Sequence, residues 1–66
     1  MQPILTMLAQ LDKLQAAGWY VTVDVINDLV CVEALRGGNH FEVSRHGQLT
    51  QVLPGAVEAV YNEMME

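Results

Sequence analysis

Residues 19–44 read WYVTVDVINDLVCVEALRGGNHFEVS, and the alternation of apolar and polar positions in this stretch decides the fold. Trp19, Val21, Val23 and Val25 alternate with Tyr20, Thr22 and Asp24, the period of two that a half-buried strand requires. Asn27-Asp28 follows, and both residues tolerate positive φ, so a two-residue hairpin is expected there. That turn sets Ile26 against Leu29, Val25 against Val30, Asp24 against Cys31, Val23 against Val32 and Thr22 against Glu33. A second strand, Leu29–Leu35, ends at Arg36-Gly37-Gly38-Asn39, whose paired glycines suit another tight turn. With Gly37-Gly38 as its loop, Ala34 opposes Phe41, Val32 opposes Val43, and Glu33 opposes Glu42. Both turns independently place Val21, Val23, Val25, Val30, Val32, Ala34, Phe41 and Val43 on one face, which is therefore the core face.

Downstream, Ser44-Arg45-His46-Gly47-Gln48 suggests a three-residue loop with Gly47 in a left-handed conformation, turning Leu49 inward. A short fourth strand over Gln48–Val52 is then possible. Pro54 is read as opening a final helix, because its missing N–H costs nothing in a first helical turn. Val57, Val60, Tyr61 and Met64 form its apolar stripe, and Glu58, Asn62, Glu63 and Glu66 its outer side. Upstream, Ile4, Met7, Leu8, Leu11 and Leu14 recur at helical spacing from Pro3 until Gly18 supplies a stop, giving a helix over Pro3–Ala17. Leu5 widens the stripe, and packing against the second helix is the expected reason. The architecture is α+β, αβββ(β)α: an antiparallel sheet of three or four strands with both helices on one face and the other face open and acidic.

A chain of 66 residues has room for one compact domain over 1–66, with 52% hydrophobic residues to build its core. Eight acids against three bases give a net charge of -5, which argues against a direct grip on phosphates. The single cysteine, Cys31, precludes an internal disulfide and fits a reducing compartment. Met1-Gln2-Pro3-Ile4 lacks the positive start of a signal peptide, and no apolar run approaches the roughly 18 residues of a membrane span. A cytoplasmic location is expected.

Catalytic residues are not evident. Cys31 and His40 are the best nucleophile and base, but the register puts Leu35, not Cys31, opposite His40. His40 and Glu42 project the same way about 6.7 Å apart along a strand, wide for ligands of one ion, even with Glu33 beside them. No metal and no cofactor is expected, and Gly37-Gly38 has neither the Lys nor the following helix of a phosphate-binding loop.

The element order resembles that of the double-stranded-RNA-binding domain. That family spans phosphates with a basic cluster at the start of its second helix, whereas the matching segment here is Pro54-Gly55-Ala56-Val57-Glu58. Its helix-one contacts would fall on Gln10, Asp12 and Lys13, so the resemblance implies the fold and not the RNA binding. In size, charge and lack of catalytic groups the chain also resembles small acidic phage-encoded inhibitors of host defence complexes, of the anti-CRISPR type. That resemblance implies nucleic-acid (DNA) mimicry, with carboxylates filling Lys and Arg sites that otherwise hold phosphates.

The residues expected to carry such binding are Asp24, Glu33 and Glu42 on the open face, edged by Tyr20, Leu35 and His40. Glu58, Glu63 and Glu66 make a secondary acidic surface. The expected partner is a basic surface of a nucleic-acid-binding protein or complex, and the chain is expected as a monomer. The alternative is a structural or regulatory homodimer through Leu5, Leu35, Met64 and Met65.

Overall fold

A computed structural model describes residues 3–65. Its elements are α1 (Pro3–Ala16), β1 (Tyr20–Ile26), β2 (Leu29–Arg36), β3 (Asn39–His46) and α2 (Leu49–Met65). The three strands form one antiparallel sheet in the order β1-β2-β3. Every register inferred from the two turns is present, from Ile26 opposite Leu29 to Thr22 opposite Glu33, and from Ala34 opposite Phe41 to Glu33 opposite Glu42. In each turn only the first loop residue has positive φ, Asn27 at 54° and Gly37 at 59°. This is the pattern of a type II′ turn, whose twist matches that of the flanking strands.

α1 ends in a double backbone cap. The N–H of Gly18 donates to Gln15 O and that of Trp19 to Leu14 O, both at 3.0 Å, with Gly18 at φ 91°. These are the two bonds of a Schellman motif, and they turn the chain directly into β1. Arg36, at the far end of β2, locks this joint. Its Nη1 donates to Ala17 O at 3.0 Å, and its guanidinium carbon lies 4.7 Å from the centre of the Trp19 ring. A cation at a helix C-terminus is favourable in itself, and stacking on the indole adds to it. The Trp19 Nε1 is buried without a hydrogen-bond partner, a cost on the order of 1–3 kcal/mol that burial of the large ring must outweigh.

The core joins Met7 and Leu14 of α1, Trp19 of the joint between α1 and β1, Val32, Ala34 and Val43 of the sheet, and Ala56, Val57 and Val60 of α2. α2 packs on β2 and β3, while α1 packs mainly on α2 and meets β1 over a smaller area. Two expectations therefore change. Val23 and Val25 point to the core side of the sheet but remain 42% and 54% exposed, because α1 leans on α2 and leaves the outer half of β1 uncovered. Leu5 is 63% exposed and does not pack into the helix pair.

The segment after β3 also differs. Arg45 and His46 are strand rather than loop, since β3 pairs with β2 as far as His46 opposite Leu29. There is no fourth strand over Gln48–Val52. Gly47 N–H donates to Asp28 O at 2.7 Å and closes the sheet, and Gln48 O then accepts from Gln51 and Val52 N–H at 3.0 Å to start a helix. Leu49 faces outward. Pro54 lies inside α2, as its sixth residue, instead of opening it. The reason is burial: Leu53 joins Ala56, Val57 and Val60 on the core side, and that stripe outweighs the one helical bond Pro54 cannot make.

Gly47 is the tightest point of this junction. Its φ is 139°, and a Cβ there would lie 2.7 Å from Val52 Cγ1, whereas a Cβ at Gly37, with φ 59°, would meet nothing within 4 Å. Gly37→Ala should therefore cost about 1–2 kcal/mol, the penalty for a side chain at positive φ alone. Gly47→Ala should cost clearly more, on the order of 2–3 kcal/mol, because strain and overlap add. Urea unfolding of the two variants checks the order.

Candidate functional site: the open face of the sheet

Strand alternation sends every second side chain to the face that the helices do not cover. Read across the sheet, the registers arrange these side chains in four rows: Tyr20, Leu35 and His40; Thr22, Glu33 and Glu42; Asp24, Cys31 and Ser44; Ile26, Leu29 and His46. All six residues expected at the binding face, Tyr20, Asp24, Glu33, Leu35, His40 and Glu42, lie on it. Its middle two rows hold the three acids, and apolar groups lie at both ends. Ile26 and Leu29 belong to this face as well. Val25-Ile26 are both apolar and blur the alternation, so only counting through the turn reveals where Ile26 points.

Glu33 and Glu42 face each other across β2 and β3. Counting from the Gly37-Gly38 turn, theirs is a non-hydrogen-bonded pair, the type in which side chains approach most closely. Glu33 is partly relieved. Its Oε1 accepts from Thr22 Oγ1 at 3.3 Å, and its Oε2 pairs with His40 Nε2. Glu42 and Asp24 have no hydrogen-bond or ion-pair partner among the described residues. Two of the three carboxylates are thus fully available to an outside cation.

Cys31 and His40 do not meet. The Cys31 sulfur lies 3.2 Å from Ser44 Oγ, on its own row, while His40 is engaged with Glu33. Among the described residues no group of three His, Cys, Asp or Glu side chains is close enough to hold a metal ion. Glu58 and Glu63 are exposed on α2, away from the sheet face. Glu66 and the side chain of Met65 lie outside the described residues. No helix in the described residues is long and apolar enough to cross a membrane.

Neither a protein-family model, nor a curated protein, nor a solved structure matches the chain.

The two glutamates should respond differently to neutralisation. Glu42→Gln removes repulsion and breaks no pairing, so stability should rise by a few tenths of a kcal/mol, up to about 1. Glu33→Gln removes the same repulsion but also weakens the His40 contact, so its gain should be smaller or absent. Paired urea titrations at neutral pH read the difference, and a larger gain for Glu33→Gln would mean that His40 does not support that carboxylate.

Proposed function

We infer that the chain is a non-enzymatic interaction protein whose open sheet face engages a basic surface on a nucleic-acid-binding protein or complex. The observation that carries this reading is the close pairing of Glu33 with Glu42, one row from the unpartnered Asp24, on the face left free by both helices. Like charges set opposite one another weaken a sheet, and a cationic partner turns that cost into binding energy. The carboxylates would then stand where phosphates stand in the partner's own substrate. Long-range attraction speeds encounter, while Tyr20 and Leu35 at one end and Ile26 at the other supply the apolar anchors that slow release. This is the mode of a nucleic-acid mimic, and it fits an inhibitor of host defence acting in the cytoplasm of an infected cell.

The test is affinity capture from a host lysate at low and at high salt, followed by charge variants measured against the captured protein. Asp24→Lys, Glu33→Lys and Glu42→Lys should each weaken binding at least ten-fold, and the complex should dissociate as salt rises. Glu58→Lys and Glu63→Lys should bind almost as well as the unaltered chain. The opposite pattern, with the α2 variants inactive and the sheet-face variants unimpaired, would reject this face as the binding surface.

A further inference from the structure

The two edges of the sheet are protected very differently. β3 carries His40, Glu42, Ser44, Arg45 and His46, the polar and charged side chains that normally discourage strand pairing. β1 carries one charge, Asp24, with no lysine, no proline and an unbroken register. The residues flanking a two-residue hairpin loop form a hydrogen-bonded pair. Counting back from Ile26 and Leu29, Tyr20, Thr22 and Asp24 bond to β2, so Val21, Val23 and Val25 direct their N–H and C=O groups away from the sheet. Beside this bare edge runs an apolar ridge. Leu11 and Gln15 of α1 face Trp19, Val21 and Val23 across a groove of about 350 Å³. One and two helical turns earlier, Leu8 and Ile4 continue the ridge and are nearly half exposed.

We propose that β1 pairs antiparallel with β1 of a second copy of this chain, in the register that sets Val23 opposite Val23. Val21 then opposes Val25, and every outward backbone group from Val21 to Val25 gains a partner, roughly six hydrogen bonds in all. Thr22 opposes Asp24, so the one charge on the edge meets a hydroxyl rather than its own copy. Tyr20 opposes Ile26, a favourable aromatic and β-branched pair. No other symmetric register satisfies all three outward residues.

Area favours a second copy as the occupant. Ile4, Leu8, Val23 and Val25 with neighbouring Leu5 leave on the order of 400 Å² of apolar surface, the size of patch that marks an interaction site on a monomer. Two such patches and two strand edges approach the ~1,200 Å² at which stable interfaces begin. The two-fold axis stands normal to the sheet. The product is a six-stranded sheet with four helices on one side and both acidic faces merged on the other. This dimer does not depend on the function proposed for the acidic face.

Sedimentation velocity and amide hydrogen exchange test it on the full chain. A dimer is expected at concentrations of tens of micromolar, strengthening with salt because each copy carries a charge of -5. Binding through the acidic face would weaken with salt. Val25→Lys should raise the dissociation constant at least ten-fold while leaving the circular dichroism unchanged, and Leu35→Lys, on the open face, should leave the dimer intact. In the unaltered protein the amides of Val21, Val23 and Val25 should exchange as slowly as those of Thr22 and Asp24, a reading that needs no variant to fold. A monomer throughout the concentration range overturns the proposal. So does a dimer that survives Val25→Lys, one that is lost in Leu35→Lys, or one whose three outward amides exchange freely.

Discussion

The burial of Val30, Val32 and Ala34 on the central strand is the constraint on which the other features depend. β2 is paired along both edges, and these three side chains have no solvent exposure. A slip of one residue against either neighbour would drive Cys31, Glu33 and Leu35 under the helices and bring the valines out. One strand thereby fixes the facing of all three. The position of Glu33 against Glu42 follows from the need to bury Val32 against Val43, and the helices serve that same need.

The sheet was legible in the sequence because its signals are local and redundant. Asn27-Asp28 and Gly37-Gly38 each specify a loop length, each loop length fixes a register, and the two registers agree on one apolar face. The first helix was legible for a similar reason, with Pro3 at its start and Gly18 beyond its end. The junction after β3 was not. Pro54 is a strong local signal for a helix start, but Leu53 and the residues after it are claimed by the core, and long-range packing overrode the proline. The exposure of Val23 and Val25 was hidden for a different reason. Alternation tells which face a side chain takes, but not whether a helix lies above it, and α1 leans toward α2.

At the candidate site the sequence revealed membership and not pairing. That Tyr20, Asp24, Glu33, Leu35, His40 and Glu42 share a face follows from parity and two turns. That His40 reaches diagonally to Glu33, leaving Glu42 and Asp24 free, depends on side-chain conformations that no spacing encodes. Ile26 was missed because it adjoins Val25 and looks like part of the core. The sheet thus carries two kinds of unspent surface: an acidic face with incomplete charge neutralisation, and a bare strand edge with an apolar flank. They lie at right angles to one another, so each can be occupied without blocking the other.

The joint formed by Gly18, Trp19 and Arg36 has a consequence of its own for how the chain would be followed in solution. The protein has one tryptophan, and its indole is sealed between the end of the first helix and a guanidinium from the far end of the central strand. Its emission therefore reports the closure of contacts far apart in sequence rather than the formation of any single helix or hairpin. A change in that emission marks the making or breaking of the contact between Trp19 and Arg36, which makes this one side chain an optical marker for the joint between the first helix and the central strand.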